Sequence, residues 1–108
     1  MFGFSEGTDY YKPVDFESNG SAVDLTGATV TVRVYPEPRE GAAVSVTYTV
    51  ANGGLTAGSA VDGEYTINFS AGDLSAGEYT YEATAVLAST DVAFLGRGWF
   101  RVFASHAL

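Results

Sequence analysis

The sequence predicts an all-β domain in which about seven short strands fold back on one another as an antiparallel sandwich or barrel. Three observations predict it. Apolar and polar residues alternate through several runs, clusters of turn-forming residues separate those runs, and no window places apolar residues at helical spacing for three turns. With 108 residues and a hydrophobic fraction of 46%, the chain is long enough to bury a real core as one domain. Residues 51–63 are rich in turn formers but include Leu55 and Val61 between strand-like runs, so they belong to a loop of the fold rather than a linker.

Residues 10–16 form an opening strand that Pro13 confines to a sheet edge, because proline has no N–H to give to a ladder. Residues 29–35 alternate strictly, which turns Val30, Val32 and Val34 to one face and Thr31 and Arg33 to the other. In residues 44–50 the even-numbered side chains, from Val44 to Val50, point inward, and a short strand follows over residues 55–59. Residues 65–69 bury Tyr65, Ile67 and Phe69, while residues 79–87 keep Thr80, Glu82 and Thr84 outside. The closing strand covers residues 97–103. Its inward face is Phe100 and Val102, since the opposite face would bury Arg97 and Arg101 along with Trp99 and Phe103. Residues 70–75 allow one helical turn with Leu74 inward. Ser18-Asn19-Gly20, Pro36-Glu37-Pro38, Glu40-Gly41, Asn52-Gly53-Gly54, Asp62-Gly63 and Ala76-Gly77 supply the turns. The organisation is an amino-terminal arm over residues 1–9, a β-domain over 10–104 and a tail over 105–108.

Charge and residue types exclude several classes of function. A formal net charge of −8, with Lys12, Arg33, Arg39, Arg97 and Arg101 scattered, opposes binding to nucleic acid, which draws on clustered cations. An acidic balance favours solubility and suits a basic docking surface. Cysteine is absent, and the single histidine, His106, has no carboxylate or hydroxyl at a spacing that would orient it as a base. No catalytic residue, metal site or cofactor is expected. Asp9, Asp15, Glu17 and Asp24 lack the dense alternation of a calcium loop. Residues 1–7 have neither the basic region nor the apolar run of a secretory signal, and no stretch approaches the roughly 20 apolar residues of a membrane span. A soluble protein that touches neither nucleic acid nor membrane, and that works through its surfaces, is the expectation.

Aromatic residues are the candidate binding groups. Seven Tyr, seven Phe and one Trp exceed what a small core comfortably hides. Phe2, Phe4, Tyr10 and Tyr11 stand in or beside an arm rich in Gly and Ser that cannot bury them locally. Such an arm orders against a neighbouring subunit, packs on its own domain or stays disordered, and its aromatic content favours the first. The loop Pro36-Glu37-Pro38-Arg39-Glu40-Gly41 is a second candidate, with Arg39 as its contact residue and a plain hairpin loop as the simpler account.

The phrase Val23-Asp24-Leu25-Thr26-Gly27-Ala28-Thr29-Val30-Thr31-Val32-Arg33-Val34 resembles the opening of small baseplate and tail-fibre modules of tailed bacteriophages. Gly63-Glu64-Tyr65-Thr66-Ile67-Asn68-Phe69, then Leu74-Ser75-Ala76-Gly77-Glu78-Tyr79-Thr80-Tyr81-Glu82, and finally Gly96-Arg97-Gly98-Trp99-Phe100-Arg101-Val102, are similar to later stretches of the same family. The resemblance implies an immunoglobulin-like antiparallel β-sandwich. It also implies that Leu74, Gly77 and Tyr79 form a tyrosine corner, with the Tyr79 hydroxyl bonded to backbone a few residues upstream. The baseplate modules begin much longer chains, so a chain ending at Leu108 is expected to be a small accessory part of a virion, such as a head-fibre base or, the reading preferred, a non-enzymatic capsid decoration, or cement, protein made in the host cytoplasm. Its implied partners are the major capsid protein or other virion proteins, and further copies of itself in a homo-oligomer. A baseplate or tail-fibre attachment module and a carbohydrate-binding domain using Trp99 are the alternatives.

Overall fold

The computed structural model describes residues 2–18, 21–37 and 43–104. Within them the chain forms β1 (Phe2–Ser5), β2 (Tyr10–Asp15), β3 (Glu17–Ser18), β4 (Ser21–Ala22), β5 (Thr29–Pro36), β6 (Val46–Thr49), β7 (Leu55–Ala57), β8 (Glu64–Phe69), β9 (Gly77–Val86) and β10 (Val92–Phe103), with a short 3-10 turn at Ala60–Asp62. The strands build a five-stranded sheet in the order β1-β10-β9-β5-β6 and a three-stranded sheet in the order β2-β8-β7, with β3 and β4 as a separate ribbon. The fold is therefore the expected all-β sandwich.

Side-chain alternation places the core between the sheets. Val30, Val32 and Val34 of β5, Ala83 and Ala85 of β9, and Phe100 and Val102 of β10 are buried from one side. Tyr65, Ile67 and Phe69 of β8 meet them from the other. The inward face of the last strand is thus the one that spares Arg97 and Arg101 from burial. Pro13 lies on β2, an edge of the three-stranded sheet, where its missing donor costs no ladder bond. Leu74 is buried, and Tyr79 is buried with its hydroxyl donating to the Ser75 carbonyl at 2.7 Å, which closes the tyrosine corner.

Several expectations are corrected. Residues 2–5 are a strand of the domain rather than an arm reserved for a neighbouring subunit: β1 runs parallel beside β10, pairing Phe2 with Phe100 and Phe4 with Val102. Every other pairing among the described strands is antiparallel. The strand expected over residues 44–50 is shorter. Only Tyr48 of its inward set is fully buried, whereas Val44 and Val50 are exposed beyond the strand ends. Val50 enters a tight turn held by the Asn52 side chain, whose Oδ1 accepts from the Thr49 and Gly54 amides. Residues 70–75 make a turn instead of a helix, with Asp73 N–H donating to Ser70 O and the Asp73 carboxylate accepting from Ser70 N–H. The turn at Asn19-Gly20, residues 38–42 with Arg39, and the tail with His106 lie outside the described residues.

Candidate binding surfaces

Phe2 and Phe4 alternate with Gly3 and Ser5, so β1 turns both rings inward. The Phe2 ring stacks on Phe100 at 4.8 Å between centroids, and Phe4 approaches Phe69 at 4.9 Å and Tyr10 at 5.1 Å. The arm is tied down beyond its ladder as well: Glu6 N–H donates to Phe103 O, the Glu6 carboxylate accepts from Ala76 N–H, and Asp9 accepts from Ala71 N–H. Three of the expected contact residues, Phe2, Phe4 and Tyr10, therefore pack against the chain's own core, because together they cover one side of it. Tyr11 points the other way and is 62% exposed.

The outer face of the five-stranded sheet gathers aromatic residues that the arm does not. On β10 the residues facing away from the core are Val92, Phe94, Arg97, Trp99, Arg101 and Phe103. Phe94 is 58%, Trp99 56% and Phe103 49% exposed. Register carries these side chains into rows across the sheet. Val92 lies beside Val86, Arg97 beside Glu82 and then Arg33, and Trp99 beside Thr80 and then Tyr35. Arg101 makes an ion pair with Glu78, and the Arg97 guanidinium lies 5.9 Å from the Phe94 ring centre. Beside Trp99, a shallow recess is formed with Glu37, Glu78 and Thr80, where the Thr80 hydroxyl donates to the Glu37 carboxylate. Arg33, Arg97 and Arg101 face Glu37, Glu78 and Glu82, so this surface is close to neutral while the chain as a whole carries −8.

Sequence reasoning found Trp99 but missed Phe94. The cause is a β-bulge between Phe94 and Gly96, which shifts the pairing register with β9 and breaks the two-residue period that would have extended the strand back to Val92. The signal that remained was Gly96 and Gly98 flanking Arg97, since glycine within a strand often marks a bulge or a close approach.

A recess on the β6 side of the sandwich is lined by Tyr48, Asn52, Asn68 and Asp73. Its polar groups answer one another. Tyr48 Oη donates to Asp73 Oδ2 at 3.1 Å, Asn52 Nδ2 to Thr47 O, and Asn68 Nδ2 to Gly53 O and Thr56 Oγ1. Burial, and secondly the Asp73 charge, raise the Tyr48 pKa above its ordinary value, so the hydroxyl stays protonated and the bond acts as a structural tie. Among the described residues, no group of three or more His, Cys, Asp or Glu is placed to share a metal ion. No helix among them is long and apolar enough to cross a membrane.

No family model matches this sequence, and neither does any curated protein. Among solved structures, the chain is similar to the crystal structure of CopC from Methylosinus trichosporium OB3b, with a TM-score of 0.55 and 14% identity over 98% of this chain and 87% of that one. At that identity the likeness concerns the β-sandwich fold and nothing finer.

Proposed function

We propose that this chain is a non-enzymatic structural protein of a tailed-phage particle, a capsid decoration protein that docks on the head through the outer face of its five-stranded sheet. One observation carries the docking surface: Phe94, Trp99 and Phe103 are all exposed on that face, within a chain whose other rings are mostly turned inward. Exposed rings on a near-neutral face inside an acidic molecule have the composition of a protein interface, where aromatic residues and Arg dominate the energy. The virion assignment is supported by the sequence resemblance, whose phrases fall on β5, β8, β9 and β10. Burial of the rings contributes about 25 cal/mol per Å2 before the costs of association are subtracted. Repeated sites on a shell strengthen modest single contacts if copies of the chain also associate with one another.

Co-sedimentation with empty heads and, separately, with tails tests the proposal. Pelleting with heads that is lost on Trp99→Ala supports decoration. Pelleting with tails moves the same fold to the baseplate reading, and pelleting with neither removes the virion assignment. A second reading has its own observation: the Trp99 ring sits beside the Glu37 and Glu78 carboxylates and the Thr80 hydroxyl, an aromatic platform with polar groups at its rim that matches the needs of a sugar ring. Glycan-array binding that depends on Trp99 would favour it.

A further inference from the structure

On the side of the sandwich closed by β1, the described residues leave part of a strand edge uncovered. β1 pairs with β10 only from Phe100 to Phe103, and among the described residues no strand continues alongside residues 95–99. In such a stretch every second residue turns its N–H and C=O away from β9, leaving half a ladder unmade. Across the gap between the sheets runs β2, itself an edge strand.

The two edges bound a continuous groove. Lys12 and Val14 form one wall, Leu95 and Arg97 the other, and Tyr81 lies between them, with Phe2 closing one end. Four residues of β2, Lys12 to Asp15, line it over about 13 Å of strand. Gly98 lets the Tyr81 ring lie directly against the β10 backbone, since a Cβ there would sit 2.6 Å from the ring. The Tyr81 hydroxyl has no hydrogen-bond partner among the described residues. The charge of the groove lining opposes that of the molecule: Lys12, whose ammonium lies 5.2 Å from the Phe2 ring centre, and Arg97, which stands at the rim and is shared with the outer face beside Glu82, outnumber Asp15, the one carboxylate among the lining residues.

We propose that this groove receives one extended, acidic segment of a partner protein. The segment adds to the β10 edge in line with β1, sets its apolar side chains on Tyr81 and Leu95, and places carboxylates at Lys12 and Arg97. Main-chain bonds give such strand addition its affinity, and alternate side chains give it selectivity. A second copy of this chain is the poorer occupant. Pairing two β10 edges about a two-fold axis brings Arg97 towards Arg97, and each molecule adds a charge of −8 to the repulsion.

The test uses a fluorescein-labelled octapeptide of alternating Val and Glu, with anisotropy as the readout on the full chain. Two control peptides accompany it, one of alternating Val and Lys, and one of the same Val-Glu sequence N-methylated at every second residue. Saturable binding of the first peptide is expected, at least about tenfold tighter than either control, and about tenfold weaker at the double variant K12E/R97E, as two reversed surface ion pairs imply. The N-methyl control leaves the protein unaltered, so the conclusion does not depend on how the variant folds. Equal binding of the N-methylated peptide, equal binding of the Val-Lys peptide, or no saturable binding would overturn the proposal. A dimer in sedimentation velocity that the Val-Glu peptide fails to dissociate would overturn it too.

Discussion

Tyr79 shows how one hydroxyl can join two parts of the fold. Its ring packs on Phe100 at 5.6 Å while its hydroxyl donates to Ser75 O, fixing the connection that leads into β9. Tyr79→Phe keeps the ring and removes the bond, so urea unfolding should show a loss of about 1 kcal/mol with no change of fold. Gly63 is held by its backbone: φ is 68°, and an added Cβ would lie 2.6 Å from Phe16 O and 2.9 Å from Val23 O. Gly63→Ala is expected to cost more than about 1 kcal/mol, since neither carbonyl can move without breaking the chain's path there. The phenols also set an alkaline limit. Burial raises the pKa of Tyr48, Tyr65 and Tyr81 in the folded chain, so the unfolded chain releases protons first as pH rises past about 10. Their contribution is complete below that pH and declines above it. Denaturation midpoints should hold from pH 7 to 9 and then fall, less steeply in Tyr48→Phe.

β1 is the element that changes the picture most. Its two rings complete an aromatic cluster around Phe69 and Phe100, and both of those side chains are fully buried. Phe4→Ala should therefore destabilise the domain by about 2–3 kcal/mol, somewhat below the range for a fully buried Phe, because Phe4 keeps part of its surface in water. Thermal unfolding of that variant, and of a chain lacking residues 1–9, checks this. An unchanged midpoint would restore the arm reserved for a neighbouring subunit that the sequence favoured. The long strands were legible because strict alternation over six or more residues fixes both the element and its buried face, as in β5 and β8. β1 was not, since Phe2-Gly3-Phe4-Ser5 is one period repeated twice and its partner lies almost a hundred residues away in sequence. The first half of β10 was hidden by its bulge, and the two-residue strands β3 and β4 are too short to show a period at all. What the pattern lost was in each case set by tertiary pairing, which local alternation does not encode.

Over the whole molecule, apolar exposure and charge are segregated: the outer face of the five-stranded sheet is aromatic and near neutral, and much of the excess negative charge lies elsewhere. That arrangement separates the two readings of the face by distance. Phe94 and Trp99 pair with Thr84 and Thr80, four residues apart on β9, so they lie about 13 Å apart along the sheet, too far for one sugar ring to touch both but well within a protein interface. Both side chains are exposed, so Phe94→Ser and Trp99→Ala should each leave the thermal midpoint within a degree or two of the parent, since surface changes of this kind stay within about 0.5 kcal/mol. If the face docks on a shell protein, Trp99→Ala should weaken co-sedimentation by about 30-fold, as loss of a central aromatic anchor worth about 2 kcal/mol implies, and Phe94→Ser should weaken it severalfold. If Trp99 instead stacks on a glycan, Trp99→Ala abolishes binding while Phe94→Ser leaves the affinity untouched. Titrating both variants against heads and against the best glycan of an array separates these outcomes, because no single contact area can respond to the second substitution in both ways.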